Sequence, residues 1–429
     1  MINFTAIGNK IKGVLVNFSK KITVGMKKTN RKFVADILVG ISASQSCVLT
    51  EIARELKEDI RVKKTEERLA RNLKEFTDKE RKKVMQNYLD TVKSTITKET
   101  MIIIDPSDVT KPCSPNMESI GTVKDGSTGE FANGYWTVGA VILSPETSQP
   151  IPIYENIYPC KKQGGAGLNV EVLNCLQSLR DNGFSPDVPR VYDRGGDSGL
   201  IFEDLHKHSE KFIIRQNYNR TVICNGKRRK ISEIAKGISC GYKMIFTGKN
   251  GLTEKCKIGM TTVTIPGFTN TDIKNFKVNL VVCKGWGEEP LILYTNLDES
   301  IEEIALKVVK AYLKRWRIEE LYGFKKQTLD FEGFRVRSFE AIKTLDLLVT
   351  ILIGFMALQA EKIEDDFITI SLISASRRIE PIKKFIKETK FFLYAISDGI
   401  AFVLAQLKCG ISHFFSSKPL EPQLSLFCV

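Results

Sequence analysis

The sequence predicts an α/β fold: a mixed sheet at its centre, a basic helical segment before it and apolar helices after it. Three observations carry this. The hydrophobic period changes from helical to strand-like at residue 101. Between residues 101 and 215 three strand-like runs are followed by helix, strand, helix and strand, an order that suits an α/β layer with a mixed sheet. From residue 216 to about 295 the chain is dense in strand-like runs, and helical periodicity returns at Ser300.

Residues 1–99 read as short basic helices. Lysines and arginines crowd positions 10–32. SQSCVLTEIARELKED (43–58) carries apolar residues at helical spacing, and Thr65 is expected to cap a further helix whose inner face is Leu69, Leu73 and Phe76. Such a stretch fits a DNA-binding bundle and fits a plain bundle with solvated charges equally well. MIIID (101–105), GYWTVGAVIL (134–143) and PIPIYENIY (150–158) read as strands. A helix over 169–179, the strand RVYD (190–193), a helix over 196–208 and the strand FIIR (212–215) follow. The strand-rich stretch 216–295 reads as an insertion, and apolar helices run from 300 to the C-terminus.

Composition narrows the function classes. Lys plus Arg total 64 against 50 Asp plus Glu, a net charge of +14, which fits a polyanionic partner such as nucleic acid as well as a merely basic protein. The ten cysteines contain no C-x-x-C pair and there are three histidines, so a zinc site is not expected and the thiols read as reduced. No signal peptide is legible at the N-terminus. The longest apolar run, LLVTILIGFMAL (347–358), is shorter than the roughly 20 residues of a membrane span. It reads as a buried helix of a cytoplasmic protein with no membrane partner.

Two carboxylates stand at strand ends, Asp105 after MIII and Asp193 after RVY, where ligands of open α/β sheets gather. Two acidic residues there can share divalent metals, and an Asp there can equally serve a turn. In AYLKRWRIEELYGFKK, Tyr312, Arg315, Glu319 and Lys326 would share a stripe about 60° wide on one continuous helix. A carboxylate flanked by a phenol and two cations suits a metal-bound phosphodiester. A solvated face with an Arg315–Glu319 ion pair is the alternative.

With its WRIEE core at 316–320, this pattern resembles the DDE transposases of bacterial insertion sequences, and among them the branch with a Tyr-Arg-Glu-Lys signature and a β-strand insertion before the catalytic Glu. IIIDPSDVTKP resembles the strand and turn that bring the first Asp, VYDRGGDSG the D-R-G turn that brings the second, and FEGFRVRS (331–338) the trailing segment. The resemblance covers about residues 100–340. It implies a ribonuclease H-like core over 100–340 with the β-rich insertion at 216–295, a DNA-binding domain at 1–99, and C-terminal helices at 341–429 as a dimer contact. It implies Asp105, Asp193 and Glu319 as the catalytic, metal-holding triad for two Mg²⁺ ions, with Mn²⁺ as a substitute. Tyr312, Arg315 and Lys326 would then contact DNA, and Arg220 in RQNYNR resembles a DNA-contacting arginine of the insertion. Asp105 is preferred to Asp108 because it ends the apolar run. Asp197 is read as starting the next helix, and Trp286 as a packing residue.

The activity implied is cut-and-paste transposition: nicking, a hairpin at the element end, reopening, and strand transfer, on double-stranded DNA at terminal inverted repeats and target. A synaptic homodimer is implied with it. A catalytically inactive, transposase-derived DNA-binding protein is the alternative. A phosphatase using D-x-D after an apolar strand fits less well, because IIIDPSDVT has two residues between its aspartates.

Overall fold

Strand β1 (Met101–Thr110) runs past the apolar stretch that announced it, through Pro106 to Thr110. A proline inside a central strand is normally excluded because it cannot donate to the ladder. Here the neighbouring strand has already ended. The Ile102 N–H donates to Pro189 on the β5 side, so the N–H groups of 104 and 106 would point the same way. Yet β5 (Arg190–Tyr192) pairs only with Ile102 and Ile103. Pro106 therefore lies on an open edge. The expectation that Asp105 ends its strand is corrected: Asp105 is mid-strand, opposite Gly139, and Asp108 is in the strand rather than in a turn.

The computed structural model describes residues 3–143, 149–160, 164–247, 253–267, 272, 274–362, 366–376, 384, 389 and 391–415. Within them the chain is mixed α/β with one large mixed sheet. β2 (Gly121–Lys124), missed in the sequence, and β4 (Ile151–Tyr158) both pair antiparallel with β3 (Phe131–Leu143), which pairs antiparallel with β1. β5 lies parallel to β1, and β6 (Phe212–Arg215) parallel to β5. Helices α6 (Leu168–Asp181) and α7 (Gly199–Lys207) make the connections. α6 stops at Asp181, with Asn182 as cap and Gly183 at a positive φ of 75°.

The strand-rich stretch does not form a sheet of its own. β12 (Leu291–Thr295) pairs antiparallel with β6, and the sheet continues through β11 (Phe276–Lys284) and β10 (Thr253–Ile265) to β7 (Thr221–Cys224) and β8 (Lys227–Lys230). β9 (Tyr242–Thr247) pairs with β10, and the short helix α8 (Ile231–Gly237) follows β8. Hydrogen bonding between β12 and β6 is a tertiary choice that strand spacing cannot reveal.

The N-terminal segment holds α1 (Phe4–Ile22), α2 (Lys28–Ser44), α3 (Leu49–Glu55), α4 (Val62–Glu75) and α5 (Asp78–Val92). Thr65 is not the expected cap. α4 starts a turn earlier, and Thr65 is buried with its hydroxyl on Glu58. After β12 come α9 (Ile301–Leu313), α10 (Arg317–Gln327), α11 (Phe339–Ala360), α12 (Phe367–Ser376) and α13 (Leu393–Ala405). The C-terminal end of the expected helical region, 416–429, lies outside the described residues.

α2, α4 and α5 pack on α11, α1 and α2 pack on α13, and α11 lies on β4. The Phe18 and Phe355 rings meet at 5.1 Å, and Tyr88 donates to the Pro152 carbonyl at 2.7 Å. The change of composition near residue 100 is thus not a packing boundary. By length and composition α11 could cross a membrane, but 83% of its most apolar window is buried inside the fold, which makes it the core helix the sequence predicts.

Candidate active site

The open edge of β1 is covered by the chain from Arg315 to Glu332. Arg315 reaches Asp105 at 3.2 Å, Tyr322 donates to the Asp105 carbonyl at 2.7 Å, Lys326 donates to Asp108 at 2.7 Å, and the Thr110 N–H donates to Glu332 at 2.7 Å. α10 therefore lies along β1. The close approach depends on Gly139 of β3, where a Cβ would stand 2.5 Å from the Tyr322 hydroxyl. Beneath it Lys325 is fully enclosed, bonded to Glu155 of β4 at 2.6 Å and to Asp346 of α11 at 2.5 Å. Thr350 donates to the other Glu155 oxygen. One cation faces two carboxylates in a dry site, so Asp346 is pushed up to about 7, by burial first and by Glu155 with it, against the pull of Lys325. None of these anchors carries a sequence signal beyond an alternation of polar and apolar residues.

Asp105 is 8% exposed. Burial drives its pKa up to about 7; Arg315 opposes the rise, and the charges of Asp193 and Glu319 add to it. Asp105 therefore feels the charges of both other acids of the sequence expectation. Asp193 follows β5 and caps the tight turn Arg194–Gly196, accepting from the Gly195 N–H at 2.6 Å. Glycine is required at 196 because a Cβ there would stand 2.4 Å from the Tyr192 Cβ. Glu319, in the first turn of α10, is about half exposed and ion-paired with Arg315. Asp108, three residues along the strand, points to the other face of β1.

The single continuous helix expected for Tyr312, Arg315, Glu319 and Lys326 is corrected. α9 ends at Leu313 and α10 begins at Arg317. Between them Lys314, Arg315, Arg317 and Ile318 donate to carbonyls three residues back, a tighter winding than an α-helix. No glycine or proline announces this break. Arg315 sits in it, between Asp105 and Glu319, with burial lowering its pKa but the surrounding Asp105, Glu319 and Tyr312 raising it above the ordinary value. Tyr312 is buried at the end of α9 and accepts from Arg215 of β6 at 3.2 Å. Lys326 is drawn to Asp108 and Glu332 instead of the triad.

Arg220 is bound to Asp197, its Nε at 3.2 Å from the carboxylate, and Asn217 donates to the same group at 3.1 Å. Asp197 thus ties two loops together, and Ser198, not Asp197, precedes α7 as its cap. Trp286 packs edge-on against Tyr312, ring centroids 6.5 Å apart. Arg215 and Trp286 are the site neighbours that sequence reading missed or set aside. Arg215 offered only its position at the end of FIIR, and Trp286 its place in a turn.

No family model matches the chain. Among the described residues no three His, Cys, Asp or Glu side chains are gathered closely enough to form a ready-made metal group. Two of the expected carboxylates, Asp105 and Glu319, share the Arg315 guanidinium, and carboxylate oxygens are what hard divalent cations take.

Proposed function

We propose that this chain is a DDE transposase that cuts and joins double-stranded DNA at the ends of an insertion sequence. The placing of Asp105 on the open edge of β1, joined to Glu319 through Arg315 and under the charge of Asp193, carries the reading. The strand order supports the ribonuclease H-like core that the resemblance implies: three antiparallel strands, then two parallel strands joined through helices. The net charge of +14 suits a DNA partner.

Asp105 and Asp193 would hold the shared metal, with Glu319 swinging from Arg315 to complete the set; two Mg²⁺ ions, or Mn²⁺ in their place, are the cofactor. Bound there, they would activate the attacking oxygen and stabilise the leaving one. Arg315 sits where a phosphodiester must enter, and its planar fork can transfer from the two carboxylates to phosphate oxygens. Tyr312, held by Arg215, forms the wall beside it and fixes the turn that presents Arg315. A dimer joined through the C-terminal helices and acting on paired ends in the cytoplasm completes the reading.

A second reading, a DNA-binding protein without cleavage, is favoured by the Arg315 contacts that occupy both Asp105 and Glu319. One gel separates the two. Labelled linear DNA bearing the element's flanking ends is incubated with the protein in Mg²⁺ or EDTA. Mg²⁺-dependent nicking is expected, abolished in Asp105→Asn, Asp193→Asn and Glu319→Gln with end binding retained. Binding with no nicking in the wild type would leave the second reading.

A further inference from the structure

The outermost strand of the sheet, β8, reads Lys227, Arg228, Arg229 and Lys230, and all four are exposed. It is joined to β7 by Asn225 and Gly226, both at positive φ (49° and 75°), the two-residue turn that keeps a hairpin tight and straight. Among the described residues Lys227, Arg228 and Lys230 make no ion pair, and Arg229 has only Glu233 at 4.0 Å. Lysine on an edge strand commonly blocks edge-to-edge pairing, and one or two charges suffice for that. Four consecutive cations on a strand about 13 Å long repel one another and call for a counter-charge of similar density.

The hairpin is fixed to the candidate active site. Its base is closed by the Ile231 N–H on the Arg220 carbonyl at 2.9 Å. Arg220 in turn is clamped to Asp197, four residues past Asp193. Arg194, beside Asp193, lies over the Tyr218 ring at 5.2 Å, and Tyr218 donates to the Pro290 carbonyl at 2.6 Å. One set of loops therefore carries both the acid and the cationic strand.

We infer that the β7–β8 hairpin is a phosphate-backbone clamp for double-stranded DNA, gripping the duplex beside the acidic site. The inference rests on the proposed reading for the identity of the polyanion. One strand of duplex DNA presents a charge per about 3.4 Å of axis, close to the roughly 3.3 Å spacing of the four cations along β8. Arg220 is then the tether of the clamp, not its contact surface.

The test uses the full chain and a labelled linear duplex in EDTA, with affinity measured across a salt series. The quadruple variant K227Q/R228Q/R229Q/K230Q is compared with the charge-keeping swap K227R/R228K/R229K/K230R, and all proteins are checked for an unchanged melting temperature. Side chains alternate along the strand, so two of the four face one duplex; the slope of log affinity against log salt should fall by about two units in the Gln variant, at about 0.9 per phosphate contact, and stay at the wild-type value in the swap. An unchanged slope in the Gln variant, or a wild type that does not bind duplex DNA, overturns the clamp. So does hairpin-dependent binding that is tighter to duplex RNA or to phosphatidylserine vesicles than to duplex DNA. Mg²⁺-dependent nicking by the same proteins reports on the proposed function separately. A hairpin-dependent slope without nicking sinks the transposase and keeps the clamp, and nicking with an unchanged slope does the reverse.

Discussion

Arg315 and Lys326 show how two cations eleven residues apart acquire different work. Arg315 lies in the break between α9 and α10 and bridges Asp105 and Glu319. Lys326 is held between Asp108 and Glu332, on the opposite face of β1. Arg315→Ala should therefore lower the salt slope of DNA binding by about one unit and remove nicking. Lys326→Ala should leave the slope unchanged and cost about 1–3 kcal/mol of stability, because the enclosed Asp108 carboxylate loses a partner. Equal slope changes in the two variants would return Lys326 to the DNA-contact role expected of it from the sequence.

At the scale of the element, α10 is docked by fit and by charge. The fit is Tyr322 against Gly139. Gly139→Ala should cost about 1–3 kcal/mol, as overpacking does, and should reduce nicking by lifting Glu319 away from Asp105. Tyr322→Phe removes the hydroxyl that the new methyl would strike, so the double variant should be more stable than Gly139→Ala alone; urea titration of the four proteins measures it. The charge is the enclosed Lys325–Glu155–Asp346 group. The folded pKa of Asp346 is raised to about 7, above the ordinary carboxyl value. Its contribution to stability is thus complete at acidic pH and is lost as pH rises through about 7. Wild-type stability should fall between about pH 4 and 7 more steeply than that of Asp346→Asn, by up to about 1.4 kcal/mol per pH unit. Parallel pH curves would remove the group from this account.

For the whole molecule, the N-terminal helices and the last helices share one core. Lys12 bonds to the carbonyls of Cys409 and Gly410, Gln45 to Ser397 and Asp398, and Arg81 to Glu340 and Thr344. A fragment of residues 1–99 should consequently fail to fold cooperatively, since α1, α2, α4 and α5 would expose the faces that α11 and α13 cover. Dispersed amide resonances and a sharp melting transition in that fragment would contradict this. Co-expression of 1–99 with 100–429 should restore a folded complex, read by co-purification and a single melting transition.

Apart from β2, the central strands were legible in the sequence, because strand and helix periods report local burial directly. RVYD and FIIR became β5 and β6, and 347–358 became the core of α11. Asp105, Asp193 and Glu319 were singled out from the residues around them, and the structure joins Asp105 to Glu319 through Arg315. What only the tertiary structure decided are contacts between distant segments. The extension of β1 through Pro106 depends on where β5 stops. The joining of the strand-rich stretch to the main sheet depends on β12 finding β6. The break at 314–316, the capture of Lys326 by Asp108 and the enclosure of Lys325 all arise where α10 meets β1, β4 and α11. Local propensity carries no information about such meetings, because each partner lies more than a hundred residues away or is chosen by packing after the elements have formed.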